Sequence, residues 1–134
     1  MPQKNKASVL VYSLVILSVM LLIALAMTTS SITDLTTYQT SAKSNQALQV
    51  ADSGLNKAAT FIKGNATGKI KDLGACTEGK VIFDIAGGKC EITFYDSAGS
   101  TIKNCETLCF SVGRIKSIGK FGGTARALDV QAFH

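Results

Sequence analysis

VLVYSLVILSVMLLIALAM, residues 9–27, is an apolar run of nineteen residues broken only by Ser13 and Ser18. Serine hydroxyls can bond back to the preceding helical turn, so neither interrupts a helix. At 1.5 Å per residue the run covers roughly 28 Å, close to the ~30 Å hydrocarbon core of a bilayer. It reads as one membrane span, because the core helix of a small soluble domain is seldom so uniformly apolar. Lys4 and Lys6 precede the run, the first charge after it is Asp34, and the next lysine is Lys43. Positive-inside bias therefore puts Met1 in the cytoplasm and the rest of the chain outside the cell or in a periplasm. The rival is a secretory signal peptide, since Ala24-Leu25-Ala26 has the small-x-small form and cleavage there would start the chain at Met27. Against it, the apolar run exceeds the ~7–15 residues usual in a signal, and helix-compatible sequence continues past the site.

The rest of the 134-residue chain obeys different rules. All twelve glycines fall at or after Gly54, the only proline is Pro2, and no glycine or proline occurs between Ala7 and Ser53. Ala47, Ala51, Gly54, Ala58 and Ile62 recur at three-to-four spacing, with Leu48, Leu55 and Phe61 widening the stripe. This is an amphipathic helix laid against a partner surface and stopped at Gly64. Residues 28–46, TTSSITDLTTYQTSAKSNQ, are rich in poor helix formers whose side chains compete for backbone hydrogen bonds. Local unwinding, or a polar spacer, is expected there.

After Gly64 the period changes to two. Val81, Phe83 and Ile85 share a face, Ala86-Gly87-Gly88 turns the chain, and Cys90, Ile92 and Phe94 follow on a second strand. A third strand, residues 109–118, changes phase at Gly113 and suggests a bulge. A turn at residues 119–123 leads to a fourth strand, residues 124–133. The expected fold is α+β: a long N-terminal helix, half transmembrane and half amphipathic, packed on a small antiparallel sheet of about four strands. The segments are a basic leader (1–7), the helix (8–63, with 9–27 in the membrane) and a β-rich head (64–134).

An oxidising compartment makes disulfides the expected state of Cys76, Cys90, Cys105 and Cys109, which would staple a marginal core. Three connectivities are possible and the spacing does not choose among them; Cys76 with Cys90 and Cys105 with Cys109 is carried forward. Compact zinc-ligand pairs are lacking, since only Cys105 and Cys109 are close and the lone histidine, His134, is terminal. No metal or cofactor is expected.

Catalytic constellations are scarce. A Ser/His/acid set would depend on the terminal His134, and the nine carboxylates show no spacing that pairs two for acid/base work. The stretch GRIKSIGKF has one residue too many between its glycines for a phosphate loop, and Phe121 where Ser or Thr should hold magnesium. Asn65-Ala66-Thr67 matches the glycosylation sequon. The formal charge is +5, but without Lys4 and Lys6 twelve cations face nine acids, an ordinary surface. One weak binding signal is the cluster of Arg114, Lys116, Lys120 and Arg126 around Phe121, which could meet DNA phosphates or be a solvated, charge-protected sheet edge.

A short basic leader, an apolar helix leaving a membrane, an amphipathic continuation and a disulfide-stapled sheet look like a type IV pilin. Residues 6–14, KASVLVYSL, resemble the start of PilX-type pilin-like proteins. Residues 47–58, ALQVADSGLNKA, resemble the Ala-acidic-x-Gly-Leu segment further along that helix. The resemblance covers about residues 4–62. It implies cleavage by a prepilin peptidase between Ala7 and Ser8, extraction from the membrane by pilus assembly machinery, and polymerisation into a filament through the N-terminal helices. Packing residues would be Val9, Leu10, Tyr12, Leu14, Ile16, Leu21, Ala47, Ala51, Gly54 and Ala58. Three departures stand: Ala7 replaces the usual glycine before the cut, Tyr12 stands where many major pilins carry glutamate, and the kinking proline is missing. The expected function is a structural subunit, membrane-inserted as a precursor and extracellular when assembled, not an enzyme. The alternatives are a pseudopilin of a secretion or DNA-uptake machine, and an anchored or secreted binding module that never polymerises.

Overall fold

The structure, a computed structural model, describes residues 3–131, with side chains from Ala7 onward. Met1, Pro2, Ala132, Phe133 and His134 lie outside the described residues, as do the side chains of Lys4 and Lys6. Among the described residues one α-helix, α1, spans Gln3–Gly64. Five strands follow: β1 (Cys76–Thr77), β2 (Lys80–Ile85), β3 (Gly88–Asp96), β4 (Val112–Phe121) and β5 (Thr124–Gln131). By contacts the chain divides into two compact units, Met1–Thr40 and Ser41–His134.

The described residues of the first unit are all helical. The stretch expected to unwind is helical throughout. Thr28, Thr29, Ser31, Thr33, Thr36, Thr37 and Thr40 each donate their hydroxyl to a carbonyl three or four residues back. The side chains that could compete with the helix instead point their protons at carbonyls already in helical geometry, and no turn opens.

The second unit is an α+β fold in which residues 41–64 of α1 cover an antiparallel meander in the order β1-β2-β3-β4-β5. Alternation sets the faces: Val81 and Phe83 on β2, and Ile115, Ser117 and Gly119 on β4, are buried between exposed or half-exposed neighbours. The expected hairpin turns at Ala86-Gly87, and the expected bulge sits at Gly113, where the β3–β4 register jumps from Tyr95↔Arg114 to Asp96↔Val112. The sequence pattern does not announce β1, which is two residues long and joined to β2 through Glu78-Gly79, both at positive φ (52° and 77°). Gly79 is also a close approach, because a Cβ there would lie 1.9 Å from the Ile102 carbonyl oxygen.

Where α1 crosses the sheet, glycines on both elements allow a close approach. A Cβ on Gly119 would fall 2.1 Å from the Ala47 carbonyl oxygen, and one on Gly54 2.1 Å from Cys90 Sγ. The small residues of the helix stripe are thus the ones the sheet can accept. Larger side chains fill the rest of the core: Val50, Leu55, Ile70, Ile92, Phe94, Ile102, Val112 and Ile115. Leu48, expected to widen the stripe, is 43% exposed, and Val50 takes its place.

One disulfide is present, Cys76–Cys105, while Cys90 and Cys109 are buried free thiols. The expected pairs Cys76–Cys90 and Cys105–Cys109 are therefore corrected. Strand β2 runs between the strands bearing Cys76 and Cys90, and Cys90 lies beneath α1 against Gly54. Cys109 is turned into the core at the head of β4. The connection from β3 to β4 carries Cys105 back to β1 instead.

Candidate assembly surface

The side chains expected to mediate helix packing fall into two groups with opposite environments. Ala47, Ala51, Gly54 and Ala58 are buried against the sheet of their own unit. Val9, Leu10, Tyr12, Leu14, Ile16 and Leu21 are 50–72% exposed, and every other residue from Ala7 to Thr40 is exposed as well. α1 contains an 18-residue window of mean hydropathy 2.8, none of it buried, and is long and apolar enough to cross a membrane. Polar groups in the run are internally satisfied: Ser13 Oγ donates to the Leu10 carbonyl at 3.0 Å and Ser18 Oγ to that of Leu14 at 2.6 Å. The surface offered is apolar side chain with no free backbone or serine donor, which suits lipid or another helix of the same kind. Tyr12 is 72% exposed, and among the described residues its phenol has no partner. Ala7 and Ser8 are helical and exposed.

The second unit carries a locked corner. Glu106 takes Lys69 Nζ at 2.6 Å and also Lys71 Nζ, while Ile70 N–H donates to the Thr107 carbonyl and Cys109 N–H to that of Gly68. These bonds tie residues 65–74, which leave α1, to the β3–β4 connection beside the disulfide. The two lysine hydrogen bonds hold the Glu106 carboxyl well below its ordinary value, at about 2. Asn65 of the sequon is exposed, with its amide donating to the Phe61 carbonyl at 3.3 Å.

The four cations of the basic cluster are not on one face. Lys116 and Lys120 alternate with the buried Ile115, Ser117 and Gly119 and point away from α1, on the same side as Arg114. Arg126 pairs in register with Gly119, and its Nε donates to Ser44 Oγ on α1 at 2.7 Å. Phe121 also belongs to the α1 side, where it lines a cleft of about 200 Å³ with Gln46, Gln49, Val50, Ser53, Ile85 and Ala86. On the outer face Arg114 sits 3.3 Å from Asp129 and 4.5 Å from the Tyr95 ring centroid, and Glu91 takes Lys80 at 2.8 Å and Lys120 at 3.5 Å. That is an ion-paired sheet surface more than a bare cationic groove.

Burial pushes the thiols of Cys90 and Cys109 up, so both are poor nucleophiles. The residues of the phosphate-loop lookalike form β4, a strand with no loop to wrap a phosphate. Among the described residues no group of three His, Cys, Asp or Glu could hold a metal ion. No protein-family model, curated protein or solved structure matches the chain.

Proposed function

We propose that this chain is a pilin-like structural subunit, inserted in the membrane as a precursor, cleaved between Ala7 and Ser8, and polymerised into a cell-surface filament through residues 9–27. The observation that carries the reading is the apolar, internally hydrogen-bonded helix surface of residues 9–27, exposed along its whole length. Such a surface is costly in water, at about 25 cal/mol per Å² of apolar area. Lipid removes that cost for the precursor, and identical neighbours remove it after extraction. The second unit closes its own core with residues 47–58 of α1, which leaves it free to act as a head carried by the filament. Assembly by this route requires no catalytic residue.

Residues 9–27 carry no charge, so an ion pair between a helix carboxylate and the N-terminal amine of a neighbour has no partner in that stretch. Tyr12 can at most donate a hydrogen bond. N-terminal sequencing of protein sheared from the cell surface tests the reading. A start at Ser8 supports it, and a start at Met27 replaces it with a secreted module whose apolar helix was discarded.

A further inference from the structure

Between Lys6 and Asp52 the chain carries two charges, Asp34 and Lys43, nine residues apart. Both are exposed or half-exposed, and among the described residues neither side chain makes a hydrogen bond or ion pair. Around Asp34 the hydroxyls of Thr29, Ser31, Thr33, Thr36 and Thr37 are all turned into the helix, and Ile32 and Leu35 are more than 60% exposed. Within residues 31–37 the Asp34 carboxylate is the one polar side-chain group with no hydrogen-bond partner among the described residues. The Lys43 stem runs beside Gly122, its Cδ 3.3 Å from where a Cβ there would stand.

We propose that Asp34 of one copy pairs with Lys43 of the next, and that this ion pair sets the axial register of the polymer. The inference rests on the filament reading above. Parallel helices packed in register would set Asp34 against Asp34 and Lys43 against Lys43, like charge on like. A displacement of nine residues, roughly 14 Å at 1.5 Å per residue, brings opposite charges together instead. The contact is then heterologous, since each copy offers a different residue to its two neighbours. Repetition of such a contact builds an open filament, not a closed dimer. Neighbouring helices exclude water from the pair, which raises both its attraction and the cost of leaving either charge alone. Asp52 also lies nine residues from Lys43, but its carboxylate already accepts the Asn56 amide at 3.2 Å. Of these two acids, Asp34 is the one without a partner among the described residues.

The test uses the full chain expressed in cells that assemble it, with sheared surface material as the readout. Asp34→Lys and Lys43→Asp are each expected to lower polymer yield at least tenfold, and the double exchange to restore it, a rescue that a folding defect would not show. Asp34→Cys with Lys43→Cys is expected to give an oxidation-dependent ladder of covalent multimers, while each single cysteine gives none. Cys90 and Cys109 are buried and do not interfere. Full yield from both single charge variants, dimers from one introduced cysteine alone, or a ladder only when Lys43→Cys is combined with Asp52→Cys would each overturn the pairing and leave the filament reading in place. Absence of sheared polymer from the wild-type chain would overturn both.

Discussion

Ser117 Oγ donates a 2.7 Å hydrogen bond to the carbonyl oxygen of Ala51, joining strand β4 to helix α1 inside the core. Ser117 has one hydroxyl proton and it goes to Ala51, so in the 3.1 Å contact between Ser117 Oγ and Cys90 Sγ the thiol is the donor. A short chain of donors thus runs from Cys90 through Ser117 to the helix backbone. Ser117→Ala removes both bonds with little change in volume and should cost about 1–2 kcal/mol. The thermal midpoint of the detergent-solubilised chain should fall by several degrees, at roughly 4–8 °C per kcal/mol for a unit of this size. An unchanged midpoint would show that the bond contributes nothing net.

Gly54 sets how closely α1 can approach the sheet. A Cβ there would stand 2.1 Å from Cys90 Sγ, so Gly54→Ala must lift the helix or displace a fully buried thiol. Overpacking of this kind costs about 1–3 kcal/mol, more than the helix propensity gained. Pairing it with Cys90→Ala should recover part of the loss, because the clashing sulfur is gone. Urea unfolding of the two single variants and the double variant measures the coupling, and strictly additive losses would mean the two positions do not meet.

The disulfide and the free thiols make separate predictions. Cys76 and Cys105 are 29 residues apart, and in the chain-entropy account a link of that span stabilises by roughly 3–4 kcal/mol. Cys76→Ala with Cys105→Ala should lower the unfolding midpoint accordingly. Cys90 and Cys109 should resist alkylation in the native protein and both react once it is unfolded. Mass spectrometry after alkylation decides between this pattern and one with four bonded cysteines.

Which features are legible in the sequence follows from how local their causes are. The apolar run, the period-two strands and the phase change at Gly113 are written in side-chain spacing, and the structure has all three. The stripe from Ala47 to Ala58 is legible for the same reason, apart from the exchange of Leu48 for Val50. Strand β1 escapes notice because two residues have no period to detect. The disulfide is hidden because it depends on β2 lying between Cys76 and Cys90, a fact of topology. The basic cluster is divided by sheet register, which spacing alone does not show: Arg126 opposes Gly119 and so faces α1, whereas Lys116 and Lys120 face away. Helicity in residues 28–40 is masked when Thr and Ser are treated as competitors, because their hydroxyls have carbonyls to bond within the helix.

Glu106 makes the locked corner sensitive to acid. Its carboxyl is held at about 2 by hydrogen bonds from Lys69 and then Lys71, against about 4.3 for an unfolded glutamate. A depressed carboxyl contributes stability that is present above the unfolded value and lost as pH falls through the folded one. The loss should thus occur between about pH 4.5 and pH 2, and it should be small because the pair is in solvent. Glu106→Gln should lack this component, so the difference in midpoint between wild type and variant should shrink steadily over that window. A difference that stays constant from pH 5 to pH 2 would show that Glu106 is not tied to the two lysines in solution.

A charge placed in the apolar run tests the role of residues 9–27 most directly. Ile16 lies mid-run and is 50% exposed, so Ile16→Asp disturbs no contact within the second unit. A carboxylate near the centre of a membrane span costs roughly 2.5–3.5 kcal/mol or more. Both membrane insertion of the precursor and recovery of sheared polymer should drop sharply, while the disulfide and the thermal midpoint of the second unit stay as they were. Ile16→Leu, equally apolar, should leave all four readouts unchanged. Wild-type yield of both membrane-bound precursor and polymer from Ile16→Asp would mean that residues 9–27 are buried neither in lipid nor among neighbouring copies.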